Sequence, residues 1–114
     1  MRGPLSLEEL ERRKLELEKV IKELKERERE ICLKHEKAKK IEDEIYRRLM
    51  TTRDDMERAM LEVKLIRIKE KRKQIEEELE AVRRKLRGAE SEYEKVSRAI
   101  EYLKPKGGFR VEEV

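Results

Sequence analysis

The residue types that could carry out chemistry are few in this sequence, and their spacing favours structural roles. Cys32 and His35 are the single cysteine and the single histidine of the chain. A metal site would need further ligands, so we expect His35 to be structural and Cys32 to be a half-buried spectator. The sequence has no glycine-rich phosphate loop and no nucleophile with an adjacent base. We therefore expect a non-enzymatic protein without a cofactor or a metal.

Basic residues form two runs that could contact phosphate groups. The run from Lys64 to Lys73 contains Glu70 as its one opposing charge, and a second run extends from Arg83 to Arg87. On a helix these side chains spread around the axis, where neighbouring glutamates can pair with them, so we interpret them as a solvated face. The alternative is weak binding of a phosphate backbone or an acidic membrane surface. The candidate anion-binding residues are Lys69, Lys71, Arg72, Lys73, Arg83 and Arg84.

The composition is typical of long helices rather than of a globular core. Charged residues make up 53% of the 114 residues and aromatic residues 4%, so few large side chains are available to fill an interior. The 32 basic and 28 acidic residues give a formal net charge of +4, too small an imbalance to indicate a nucleic-acid binder. A single cysteine and the lack of a long apolar run predict a cytoplasmic protein.

The elements that must position these residues are two heptad stripes of apolar side chains. The first stripe runs from Leu7 to Leu49 in alternate steps of three and four, and the second runs from Leu61 to Leu103. Arg72 interrupts the second stripe, and the first has the polar intrusions Lys14, Glu28, His35 and Glu42. The stripes are out of phase by two residues, which neither a stutter nor a stammer explains. The sequence therefore predicts a structural break between them.

This break predicts an all-α fold, a long antiparallel coiled-coil helical hairpin that reverses at Thr51 and Thr52. Arg48 suits the last turn of a helix, and Thr52 can cap the next one. The hairpin also gives the polar seam residues aliphatic neighbours: Glu28, His35 and Glu42 would face Ile75, Ile68 and Leu61, and Arg72 would face Ile31. The alternative is one continuous helix forming a parallel coiled-coil dimer, in which these charges would face their own copies.

The predicted organisation has five segments along the chain. They are a leader at 1–5, a first long helix at 6–50, a turn at 51–54, a second long helix at 55–104, and a flexible tail or the start of a following region at 105–114. Ser6 and Glu9 form a capping box at the start of the first helix. Pro105 and the glycines that follow it end the second helix.

Apolar residues around the predicted turn lie away from both stripes and form the candidate partner-binding site. They are Ile41, Tyr46, Met50, Met56, Met60, Val63 and Ile66. One partner helix cannot cover two apolar faces, so we expect binding to a second copy, as a homodimer, or to another protein.

The predicted function is therefore that of a coiled-coil protein-interaction or oligomerisation module within a larger scaffold or cytoskeletal protein. One alternative is a regulatory module whose helices bind a globular signalling protein, such as a small GTPase, along Met56 to Ile66. The second alternative is electrostatic binding to anionic lipid or nucleic acid through the basic runs. A small-molecule substrate is not expected.

Overall fold

The computed structural model describes residues 6–104, which form two long α-helices. Helix α1 spans Leu7–Thr51 and helix α2 spans Asp55–Leu103. The helices pack against each other as an antiparallel hairpin, which confirms the all-α hairpin and excludes the continuous helix. The predicted leader at 1–5 and tail at 105–114 lie outside the described residues.

A capping box begins helix α1, as the sequence predicts. The Ser6 hydroxyl accepts a hydrogen bond of 3.1 Å from the Glu9 amide, and the Glu9 carboxylate accepts one of 3.1 Å from the Ser6 amide. Both bonds satisfy amides that have no partner within the helix. The same bonds with Ser6 lower the pKa of Glu9, because they stabilise its ionised form.

The turn between the helices is closed by side-chain caps and not by glycine. Asp54 accepts a hydrogen bond of 2.9 Å from the Met56 amide and is the cap of α2, the role that the sequence suggested for Thr52. The Arg58 guanidinium donates to the carbonyl oxygens of Leu49 and Thr52, at 3.2 Å each, and so satisfies free carbonyls at the end of α1. No residue from 6 to 104 has a positive φ, so this reversal does not require glycine.

Residues 24–84 form one compact unit, whose core is a seam of aliphatic side chains spaced by one heptad. The buried members are Ile31, Ala38 and Ile45 from α1, and Leu61, Ile68, Ile75 and Val82 from α2. Ile31 has no exposed surface, and four partly buried leucines pack against the cluster. The core is therefore a narrow strip between the helices, and most of each helix surface remains outside it.

A second compact unit contains the described residues 6–23 and 85–104. Its buried apolar residues are Leu10, Leu17, Leu86 and Ile100. Arg13 donates two hydrogen bonds to Glu92, of 2.7 and 2.9 Å, and this pairing lowers the pKa of Glu92. The Tyr93 hydroxyl donates to Glu18 at 2.9 Å. Polar contacts thus flank the apolar seam of this unit as well.

The polar residues of the first stripe have charged partners, where the sequence analysis expected aliphatic ones. Contacts of 2.8 Å join Glu28 to Arg83, His35 to Glu76 and Glu42 to Arg72. Glu42 was expected opposite Leu61, but Arg72 lies about three turns further along α2. The expected facing pairs are therefore wrong. The apolar heptads match in more than one register, and the structure adopts a register that pairs opposite charges across the seam.

The seam is expected to carry most of the stability of the hairpin. Ile31→Ala removes a fully buried side chain and should destabilise the fold by about 2–5 kcal/mol. Leu33→Ala is the matched control, because Leu33 lies two residues away and is 53% exposed; its free energy of unfolding should change little. Urea unfolding followed by circular dichroism measures both. Equal effects of the two substitutions would contradict this assignment of the core.

Candidate protein-docking surface

All seven predicted partner-binding residues have exposed side chains in the unit formed by residues 24–84. Their exposed fractions range from 40% for Tyr46 to 85% for Met50. Met56, Met60 and Val63 follow one another at steps of four and three, so they share one side of α2. We call these three residues the methionine stripe. Because it lies away from the seam residues of α2, the other helix of the hairpin does not cover it.

The structure does not gather all seven residues into one surface. Ile41 and Tyr46 are five positions apart on α1, which places them about 140° apart around the helix. Ile41 lines a groove between the two helices. Tyr46 lies under the ammonium group of Lys69, which is 5.3 Å from the centre of its ring. The hairpin therefore has two different sides, each flanking the seam.

On the side of Ile41, an open groove of about 530 Å³ runs between α1 and α2. Its apolar floor consists of Ile41, Ile45, Leu61 and Ile68, and its rim of Lys40, Glu44, Arg48, Lys64, Arg67 and Lys71. A second concavity of about 500 Å³ shares Ile41, Ile68 and Lys71 with the first. It adds Lys34, Lys37, Ala38, Gln74, Ile75 and Glu78. We call the two together the basic groove.

The basic groove borders the methionine stripe. Met60 and Val63 line a shallow cleft with Lys64 and Arg67, two residues that also belong to the rim of the groove. The apolar surface of the stripe therefore continues into the groove, with two cations between them.

On the other side of the seam, charged residues form a connected network. Arg72 lies 2.8 Å from the Glu42 carboxylate and 3.8 Å from that of Glu76, which shares a hydrogen bond of 2.8 Å with His35. The imidazole is the donor in this bond, since an ionised carboxylate only accepts. The bond with His35, together with the charge of Arg72, lowers the pKa of Glu76. The predicted structural role of His35 agrees with this contact.

Glu42 is the one charged residue buried in the described part of the chain, with 4% of its surface exposed. The Arg72 guanidinium is close to its buried oxygen but lacks the alignment of a hydrogen bond, and that oxygen has no other donor. The pair is therefore held by charge alone.

The predicted anion-binding residues are dispersed by the fold. Lys71 lines the basic groove, Lys69 contacts Tyr46, and Arg72 pairs with Glu42. Arg83 donates to Glu28 at 2.8 Å and lies 3.8 Å from the half-buried Cys32. The sequence analysis missed the lysines of α1 that face the basic run of α2, because that pairing depends on the register of the hairpin.

No protein-family model, curated protein or solved structure matches this chain. Within residues 6–104, no helix is both long and apolar enough to cross a membrane, and three or more potential metal ligands do not converge at any point. The class that the structure defines is an antiparallel helical hairpin with exposed apolar residues beside an apolar seam.

The Glu42–Arg72 pair gives a prediction about stability. Arg72→Met would leave a buried carboxylate without a cation and should destabilise the hairpin by about 3 kcal/mol. The double variant Glu42→Leu/Arg72→Leu should be at least as stable as the original protein, because apolar packing replaces a desolvated pair. Urea unfolding measures each variant. The control Arg29→Met removes an exposed ion pair with Glu26 and should leave the urea midpoint of unfolding unchanged. A double variant less stable than the original protein would contradict the argument.

The lowered pKa of Glu76 gives a prediction about pH. Because the pKa is lower in the folded state than its ordinary value of 4.5, this group stabilises the fold above pH 4.5. That stabilisation is lost as the pH falls through the folded-state pKa. Glu76→Gln should therefore lose less stability than the original protein between about pH 6 and pH 3. Glu101→Gln is the control, and urea midpoints at both pH values give the comparison. Equal losses for Glu76→Gln and the original protein would contradict the prediction.

Proposed function

We propose that this chain is a non-enzymatic protein-interaction module that self-associates through the methionine stripe. The observation that carries the proposal is the exposure of Met56, Met60 and Val63, with 72%, 58% and 48% of their surfaces accessible. Contiguous exposed apolar residues are a common mark of an interaction site, and methionine adapts its shape to a partner surface.

The energetics of association require that the partner also contributes apolar surface, which a second copy of the stripe supplies. Full burial of one such side chain contributes about 1.5–3 kcal/mol, whereas association costs about 4–15 kcal/mol in lost translational and rotational freedom. Three side chains from one chain barely offset this cost. In a twofold-symmetric dimer the same patch contributes from both copies, so the buried apolar area doubles. A stripe on one side of a straight helix suits such self-complementary packing.

The contacts of His35 and Cys32 support a structural role for these two residues. His35 is engaged by Glu76, and the Arg83 that approaches Cys32 is engaged by Glu28. Each of these contacts stabilises the pairing of the helices. The proposal therefore assigns interaction to the exposed apolar residues and cross-helix contacts to the charged ones.

The mass of the protein in solution tests this proposal. Light scattering should give the mass of two chains, and Met60→Glu/Val63→Glu should give the mass of one, because the substitutions place four carboxylates in a symmetric interface. Circular dichroism should show unchanged helicity, since both residues are exposed.

The matched control is Leu15→Glu/Leu33→Glu, which adds the same charge at two exposed leucines outside the stripe. This variant should remain a dimer. A protein that is monomeric without substitution, or a control that dissociates as readily as the stripe variant, would exclude self-association through the methionine stripe.

A further inference from the structure

We propose that the basic groove binds an amphipathic helix of another protein, one with an apolar stripe flanked by aspartate and glutamate. This site borders the methionine stripe but has a different floor and a different occupant, so the inference goes beyond the proposed self-association. Three properties of the groove identify the occupant: its apolar floor, its length and the charge of its rim.

The floor of the groove is a narrow apolar strip, in which Ile41 is exposed and the seam residues keep 5–9% of their surfaces accessible. Ile45, Leu61 and Ile68 are seam residues whose edges form this floor, and Ile41 extends it with half of its surface exposed. From Leu61 to Ile75 the floor follows about four turns of α2, or about 21 Å at 1.5 Å per residue. A third helix packed here would bury its apolar stripe along the whole floor, as in a helix-in-groove complex.

The rim of the groove has a strong excess of positive charge. Seven cationic side chains and two carboxylates line it. Both carboxylates already have cations nearby: Glu44 pairs with Arg47, and Glu78 pairs with Arg27. Apart from Arg48, which lies 3.5 Å from Glu57, the rim cations form no ion pair within residues 6–104. The other six rim cations therefore have no carboxylate partner within residues 6–104.

This charge excess is a property of one side of the hairpin. Across the seam, Glu28, Glu42 and Glu76 each contact a basic side chain. A partner with carboxylates on both edges of its apolar stripe would therefore be attracted to the groove side and oriented along it. The long lysine stems can lie against the apolar edges of such a helix while their ammonium groups reach its carboxylates.

An acidic helix fits these observations better than a nucleic acid or an anionic membrane. Phosphate groups would pair with the rim but leave the apolar floor without a partner. A planar lipid surface cannot follow a groove between two helices. Base stacking would need aromatic side chains in the groove, and Tyr46 lies on the other side of the hairpin, against Lys69. Only a partner with both carboxylates and an apolar stripe uses both parts of the site.

A designed peptide of about twenty residues serves as the probe, with leucine at heptad spacing and glutamate on both flanks. A scrambled peptide of the same composition lacks the stripe. Fluorescence anisotropy at about 0.15 M salt, where exposed charges are screened beyond about 8 Å, measures binding to the full chain. The striped peptide should bind at least about tenfold more tightly than the scrambled one.

Two variants of the groove test the residues involved. Ile41→Glu places a charge on the floor, and Lys37→Glu/Lys71→Glu reverses two rim charges that lie outside the cleft of the methionine stripe. Each variant should weaken binding of the striped peptide by about tenfold or more. The control Lys19→Glu/Lys95→Glu reverses the charge of two exposed lysines outside the groove. It should bind the striped peptide with the same affinity as the original protein. A peptide with lysine in place of its glutamates should bind the rim variant more tightly than the original protein, because the charges are exchanged on both partners.

The outcomes separate this proposal from self-association. Met60→Gln/Val63→Gln, which removes apolar surface without placing carboxylates beside Lys64 and Arg67, should dissociate the dimer and still bind the striped peptide. The groove variants should bind the peptide more weakly and remain dimers. Equal binding of the striped and scrambled peptides would overturn the proposal. The proposal would also be overturned if the protein bound phosphatidylserine vesicles or duplex DNA through the rim lysines and did not bind the striped peptide. Dissociation of the dimer by the rim variant would assign the groove to a second copy of the chain instead.

Discussion

The apolar seam between α1 and α2 is the interaction on which the other features of the hairpin depend. Each helix contributes aliphatic side chains at heptad spacing, such as Ile31 from one and Ile75 from the other. Highly charged helices gain much of their stability from packing such a face against a partner. Because the seam is narrow, every other position of the heptad lies on its flanks or on the outer surface. Those positions determine the register of the helices and the surfaces open to partners.

The sequence favoured a reversal of the chain, because the phase break between the stripes coincides with a basic helix end and an acidic helix start, but it left one continuous helix as the alternative. It was not sufficient to predict the register. Aliphatic residues at heptad spacing match in several registers, and the polar residues distinguish between them only if their partners are known. Glu42 illustrates the difficulty. Beside a leucine, the Glu42 side chain could extend towards solvent, but a contact with Arg72 stabilises its charge more directly.

The turn was also predictable in part. The basic residues before it and the acidic residues after it mark a helix end and a helix start, but the cap is Asp54 and not Thr52. The contribution of Arg58 could not be predicted, because its guanidinium reaches back across the turn to two carbonyl oxygens. With these carbonyls satisfied, the backbone needs no positive φ, which explains the absence of glycine from this reversal.

The two candidate surfaces also differ in how far the sequence alone could predict them. Met60 and Val63 could be identified from one helix, because their spacing places them away from the seam positions. The basic groove could not, since it exists only where Lys34 and Lys37 of α1 lie beside Lys71 of α2. In the observed register, glutamates beside the seam neutralise one flank, and the other flank keeps its lysines without carboxylate partners. The register that places Arg72 beside the buried Glu42 also leaves the rim lysines of the groove without carboxylate partners, so the charges that align the helices set which side of the hairpin can attract an acidic partner.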